Sequence, residues 1–145
     1  MSSDPFNLAR FVTAQARSDT YAAAITELRA GRKRTHWMWF IFPQVAGLGS
    51  SPTAQLYAIA SRAEAAAYLA HPVLGPRLRE CTAALLQHPD KSAVEITGHP
   101  DDLKLRSSLT LFSALSPSGS VFHQVLSHFF DSPDPRTLAF LTDSK

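Results

Sequence analysis

The sequence contains a single cysteine, and this scarcity excludes several classes of protein. Cys81 has no partner for an intramolecular disulfide, and no second cysteine is present for a zinc cluster. Small secreted domains stapled by disulfides and cysteine-ligated zinc domains are therefore excluded. We expect a reducing, intracellular setting in which the thiol serves as a small core side chain.

Long hydrophobic runs are also lacking. No apolar run reaches the roughly 18 residues that a membrane-spanning helix needs. The first residues, from Met1 to Pro5, contain neither the basic region nor the apolar segment of a secretory signal. The sequence therefore predicts a cytoplasmic protein with no membrane partner.

Familiar catalytic and cofactor motifs are missing as well. The chain has no Gly-x-Gly-x-x-Gly, no phosphate-loop pattern, no His-Glu-x-x-His and no Gly-x-Ser-x-Gly. Its histidines are scattered without a ligand spacing, so we expect no metal site and no cofactor. His71, His88 and His99 each precede a proline, and we interpret them as turn residues.

Strong net charge is absent, but the positive residues are unevenly placed. The formal charge of +2 is too small for a protein that coats DNA. Four cations nevertheless lie within six positions: Arg29, Arg32, Lys33 and Arg34. A local cluster of this kind predicts contact with a few phosphates rather than with a long nucleic-acid backbone.

Alternating β-branched segments, which are typical of strands, are nearly absent. Apolar residues instead recur at helical spacing between serine, aspartate, proline and glycine punctuation. The 145 residues are enough for one ordinary domain, and no composition shift suggests a boundary. The sequence predicts a mainly α-helical, single compact domain over residues 1–145, with about seven or eight short helices in irregular packing.

One stretch, residues 31–44, holds both tryptophans and the densest basic run. Cations precede an aromatic block there, and a turn with Gly47 and Gly49 follows it. This order suits an anion at one end and a flat ring at the other. Alternatively, the tryptophans are core residues and the basic run is a solvated face. If the tryptophans are in the core, Trp39→Ala unfolds the domain. The amino end of a helix starting at Ser51 would add an anion site.

A second stretch begins the helix expected over residues 102–115. Asp101, Asp102 and Lys104 bring carboxylates and an amine to one helix end, with Ser107 and Ser108 on the same polar side. Such groups can transfer a proton or capture a sugar C1 covalently. The alternative is a capped helix with a solvated lysine.

A series of segments runs through the chain: residues 29–33, 36–44, 47–51, 57–59, 64–65, 68–69, 71–78 and 102–112. Together they resemble the bacterial family known as domain of unknown function 1810, and the match spans nearly the whole chain. Leu109, where methionine is common, and Thr97, where an aromatic residue is common, depart from the pattern. The family also has the label calpastatin-like, after a largely disordered inhibitor, whereas a 45% hydrophobic chain predicts a folded domain.

The same plan is more distantly similar to the NADAR superfamily, whose members are associated with NAD and ADP-ribose metabolism and cleave N-glycosidic bonds of ribosylated bases. In that superfamily a lysine is implicated in handling the sugar. The resemblance implies this role for Lys104, with Asp101 three residues before it.

We therefore hypothesise an N-glycosidase that acts on an ADP-ribosylated or ribosylated nitrogen base, either as a small molecule or linked to nucleic acid. The catalytic candidates are Lys104, Asp102 and Asp101, and the substrate-binding candidates are Arg32, Lys33, Arg34, His36, Trp37, Trp39, Gln44, Gly47, Gly49, Ser51, Tyr57 and Ser108. Two alternatives stay open: a non-catalytic module for a nucleotide or nucleic-acid end, and a helical domain that binds a protein partner.

Overall fold

Short helices joined by tight turns make up the chain. The computed structural model describes residues 4–143. The helices are α1 (Ala9–Ala16), α2 (Thr20–Ala30), α3 (Met38–Ile41), α4 (Pro52–Leu56), α5 (Arg62–Ala70), α6 (Leu74–Leu85), α7 (Ala93–Thr97), α8 (Asp101–Ala114), α9 (Val121–Phe129) and α10 (Pro135–Asp143). A 3₁₀ turn, Arg17–Asp19, separates α1 from α2.

Serine side chains define many of the helix starts. Ser51, Ser61, Ser92 and Ser120 each accept a hydrogen bond from a backbone N–H three residues later. These bonds satisfy donors that the first turn of a helix leaves unpaired. Gly31 ends α2 with a φ of 80°, a conformation that a residue with a Cβ atom rarely adopts.

Helix α8 lies at the centre of the packing, in contact with α9, α10, α7, α5 and α3. Its Leu105, Leu109 and Phe112 are buried. The Phe112 ring packs 5.5 Å from that of Tyr68 and 5.9 Å from that of Phe122, measured between ring centroids. The expected mainly α-helical, single compact domain is confirmed.

β-Structure within residues 4–143 is limited to one isolated parallel bridge, between Val45 and Ile59. The bridge fixes the base of the loop that leads from α3 to α4. In the same described range, every helix falls short of the length and apolar character needed to cross a bilayer.

Candidate functional site

The aromatic segment is held in place by a carboxylate of α2. The Glu27 carboxylate accepts the N–H groups of Arg34 and Thr35 at 2.6 and 2.9 Å, the Thr35 hydroxyl at 2.6 Å and the Trp37 indole N–H at 2.9 Å. Trp37 itself is only 1% exposed. One buried carboxylate, that of Glu27, therefore fixes the loop that carries the basic run of Arg32, Lys33 and Arg34.

These contacts determine the ionisation of Glu27. Burial acts to raise the pKa of the carboxyl, but the hydrogen bonds donated by Thr35, Arg34 and Trp37 outweigh it. The pKa falls from its ordinary value of 4.5 to about 2. Glu27 is thus an anion at neutral pH, and it orders the segment that precedes α3.

Helix α3 and the following loop form one side of a cavity. Trp39 on α3 is only partly buried. The backbone of Ile59 donates to the Gln44 carbonyl at 2.8 Å, and that of Ala46 donates to the Ile59 carbonyl at 2.9 Å. Because these bonds fix the base of the loop, residues 48–51 lie beside Trp39 at the cavity wall.

The cavity has a volume of about 470 Å³, within the usual range for small-molecule sites. It lies between the α3–α4 loop, the first turns of α8 and the start of α10. Its polar lining comes from Gln44, Ser50, Ser51, Lys104, Arg106 and Ser107, with Asp134 and Arg136, and Trp39 is the aromatic member.

Lys104 makes two contacts at the wall of this cavity. Its Nζ lies 3.2 Å from Asp101 Oδ1 and 4.4 Å from the centre of the Trp39 ring. The other oxygen of Asp101 pairs with Lys33 Nζ at 2.9 Å, and Lys33 lies 5.3 Å from the centre of the Trp37 ring. One carboxylate therefore bridges two ammonium groups, each of which lies over a tryptophan.

A second cavity, of about 250 Å³, adjoins the first. Trp39, Pro100 and Lys104 line both spaces. The second cavity adds charged and titratable groups from two segments: Lys33, His36, His99 and Asp101. Lys104 consequently stands at the junction of two cavities.

The structure brings together a large part of the predicted site. Trp39, Gln44, Gly49, Ser51 and Lys104 line the larger cavity. Lys33, His36, Trp37 and Asp101 line the smaller one. Residues more than sixty positions apart in the sequence thus meet around Lys104.

Other predicted residues lie elsewhere. Arg32 and Arg34 are exposed and line neither cavity. Tyr57 is in the core, with its ring centroid 5.7 Å from Phe11 and 4.8 Å from Phe40. The two arginines lie outside because the hydrogen bonds to Glu27 fix the backbone of their loop. Tyr57 lies outside because its ring packs in the core.

Three further candidates are also outside the two cavities. Ser108 is fully buried, and its hydroxyl finds no hydrogen-bond partner within residues 4–143. Gly47 contributes its carbonyl to Arg136 at 3.0 Å. Asp102 pairs with His99 Nδ1 at 2.8 Å. Of the two aspartates, Asp101 is therefore the one in contact with the lysine.

The expected anion site at the start of α4 is weaker than the sequence suggests. This helix has only five residues, and the Ser51 hydroxyl accepts the N–H of Ala54 at 3.1 Å. Because the chain caps its own helix, Ser51 contributes to the cavity wall rather than to an open set of N–H donors.

Two arginines of the larger cavity were missed by sequence reasoning. Arg106 donates to the carbonyls of Ser132 and Pro133, both at 2.8 Å, and Arg136 donates to Gly47. These bonds hold the guanidinium groups at the cavity rim. The sequence offered no motif for them, because one lies inside α8 and the other in the first turn of α10.

His99 was also missed. Its place before Pro100 suggested a turn residue, and it does lie in the turn before α8. The structure also pairs its ring with Asp102 and makes it part of the smaller cavity. The available signal was the spacing, since a histidine three residues before an aspartate at a helix start can reach that carboxylate.

Two of three comparisons with known proteins give a match. The chain resembles the conserved hypothetical protein Rv1873 from Mycobacterium tuberculosis, known from a crystal structure, at 52% sequence identity and a TM-score of 0.93. The match covers 97% of this chain and 100% of that one. No curated protein gives a significant match. A family model described as protein of unknown function (DUF1810) matches residues 5–141. The chain therefore belongs to the DUF1810 family.

Proposed function

We propose that the protein is an N-glycosidase that hydrolyses the bond between a ribose, free or part of ADP-ribose, and a nitrogen base. One observation carries the proposal: the Lys104 amine lies between the Asp101 carboxylate and the Trp39 ring at the junction of two cavities. A cation can hold a phosphate, a carboxylate can stabilise positive charge on the sugar, and an aromatic ring can stack on a flat base.

The two cavities suggest how such a substrate binds. The larger one carries Arg106 and Arg136 at its rim, which suits the phosphate groups. The sugar then lies near Lys104 and Asp101, and the base stacks on Trp39 at the entrance to the smaller cavity. A cytoplasmic setting, where nucleotides are abundant, is part of the same proposal.

The reaction is a displacement at the sugar C1′. Water adds to C1′, the C1′–N bond breaks, and its electron pair stays on the leaving nitrogen. Asp101 stabilises positive charge that develops on the sugar and accepts the proton that the water loses. This assignment favours Asp101 over Asp102, because only Asp101 is in contact with Lys104.

Lys104 has two possible roles in this scheme. Its contacts with Asp101 and Trp39 are those of an ammonium group, which suits an electrostatic role toward the substrate. A covalent role, with attack of the amine on C1′, requires that the substrate first displace Asp101 and that the amine lose a proton. Borohydride during turnover distinguishes the two, because it reduces and traps only the imine that follows amine attack.

Similarity to the NADAR superfamily supports the same reaction class, and we include that relationship in the proposal.

A second candidate, a nucleotide-binding module without turnover, is favoured by the contacts of Asp101. Asp101 has both carboxylate oxygens in ion pairs, one with Lys33 and the other with Lys104, so neither oxygen is free to take a proton from water.

The test uses four compounds: NAD⁺, ADP-ribose, adenosine 5′-monophosphate (AMP) and nicotinamide mononucleotide (NMN). Chromatography detects released adenine or nicotinamide, and calorimetry measures binding. Release of free base supports the glycosidase. Saturable binding of these compounds without any release contradicts it and supports the binding module.

A further inference from the structure

His99 and Asp102 form a hydrogen-bonded pair at the edge of the smaller cavity. Nδ1 of the imidazole lies 2.8 Å from Asp102 Oδ1. The histidine side chain is 64% exposed, whereas the aspartate side chain is only 12% exposed. A buried carboxylate therefore fixes the orientation of an accessible imidazole.

The pairing determines which ring nitrogen is available. An ionised carboxylate only accepts hydrogen bonds, so Nδ1 carries the hydrogen that lies between the two residues. The second nitrogen, Nε2, is then left to exchange a proton with a ligand. This is the arrangement in which a carboxylate orients a histidine for acid–base chemistry.

His99 shares the smaller cavity with the groups that carry the proposed reaction. Trp39, Asp101 and Lys104 line the same 250 Å³ space. A base stacked on Trp39 with its sugar at Lys104 would extend toward the imidazole. The proposed hydrolysis leaves one task without a residue, which is delivery of a proton to the leaving nitrogen.

We propose that His99 is the general acid that protonates the leaving base, that Asp102 is its positioning residue, and that the substrates include N-glycosides of neutral bases. The proposal rests on the glycosidase function proposed above. When C1′–N breaks in such a compound, the electron pair on the leaving nitrogen takes the proton from His99 Nε2. The proton that Asp101 removes from water then restores the imidazolium, so that protons balance over one turnover.

The leaving group makes the inference specific. A pyridinium base such as nicotinamide departs as a neutral molecule and needs no proton. A purine attached through its ring nitrogen departs as an anion unless it is protonated. A general acid therefore accelerates release of the purine and has no function in release of the pyridine.

Charged and titratable groups from neighbouring segments surround His99. Those near it are Lys33, His36, Asp101, Asp102 and Lys104. Because several of them also contact the proposed substrate, a pH profile for one substrate alone is ambiguous. Comparison of two substrates removes this difficulty, since both experience the same neighbours.

AMP and NMN provide that comparison, because both are ribose 5′-monophosphates and they differ in the leaving base. His99→Asn should lower kcat for AMP about 100-fold or more and leave kcat for NMN unchanged. His123→Asn, at an exposed histidine on α9, is the matched control and should change neither rate.

Asp102→Asn tests the positioning role. It should lower kcat for AMP without raising KM, while the rate for NMN and the melting temperature stay near those of the wild type. Equal loss for both substrates in His99→Asn overturns the general-acid role. Hydrolysis of NMN but not AMP by the wild type overturns it as well and leaves the glycosidase in place. Hydrolysis of neither compound by the wild type overturns the proposed function itself.

Discussion

The Trp37 indole nitrogen donates a 2.9 Å hydrogen bond to Glu27, which lies ten residues earlier on α2. The same carboxylate accepts three further hydrogen bonds from Arg34 and Thr35. One buried acid thus fixes the backbone that leads into α3, and α3 in turn positions Trp39 and the cavity. The stability of the site should therefore depend on the ionisation of Glu27.

The first prediction concerns acid pH. Because the pKa of Glu27 is lowered from 4.5 to about 2 on folding, its stabilisation is complete above pH 4.5 and is lost as the pH falls toward 2. The shift corresponds to about 3 kcal/mol of the free energy of unfolding. Urea unfolding at a series of pH values measures it.

Glu27→Gln is the control for this prediction. The amide leaves donors of the loop unpaired, so the variant should be less stable at neutral pH by roughly 1–3 kcal/mol. Its stability should also fall less steeply below pH 4.5. A variant with the same acid dependence as the wild type would show that other carboxyls cause the loss.

The second prediction separates the two tryptophans. Trp37 is 1% exposed, so Trp37→Ala should cost roughly 3–5 kcal/mol of stability. Trp39 is partly buried at the wall of both cavities, so Trp39→Ala should cost less and should mainly weaken nucleotide binding. Thermal melts and calorimetry with ADP-ribose measure the two effects. A Trp39→Ala protein that is unfolded, or that binds ADP-ribose normally, would contradict this division.

The third prediction concerns the arginines of the larger cavity. ADP-ribose should bind, and its affinity should fall as salt rises, because phosphate contacts with guanidinium groups are screened. Arg136→Ala should weaken binding more than Arg79→Ala, at an exposed arginine of α6 outside the cavities. Calorimetry at several salt concentrations is sufficient. Equal affinity in the two variants would remove the larger cavity as the phosphate site.

Local patterns predicted the helices well. The expected helix at residues 102–115 corresponds to α8, Asp101–Ala114, and Ser51-Pro52 does begin α4. The first helix is an exception: Asp4-Pro5 is a helix-start signal in the sequence, whereas α1 begins at Ala9. Asn7 has a φ of 51°, outside the helical region, so a continuous helix cannot run from Pro5 into α1.

The site was less predictable because its geometry depends on tertiary contacts. A continuous apolar run does not reveal which tryptophan faces the core, since α3 has only four residues. Two neighbouring aspartates look equivalent in sequence, yet one contacts Lys104 and the other His99. Arg136 reaches the cavity through α10, far along the chain. These features become visible only when the packing around α8 is known.

The fourth prediction tests the catalytic role of the cavity most directly. Release of free base from NAD⁺ and AMP should be measured for the wild type, for Lys104→Met and for Lys91→Met, an exposed lysine outside both cavities. Wild type and Lys91→Met should release base at similar rates, and Lys104→Met should release none while melting near the wild-type temperature. Release of base by Lys104→Met at the wild-type rate would contradict the assignment of the site.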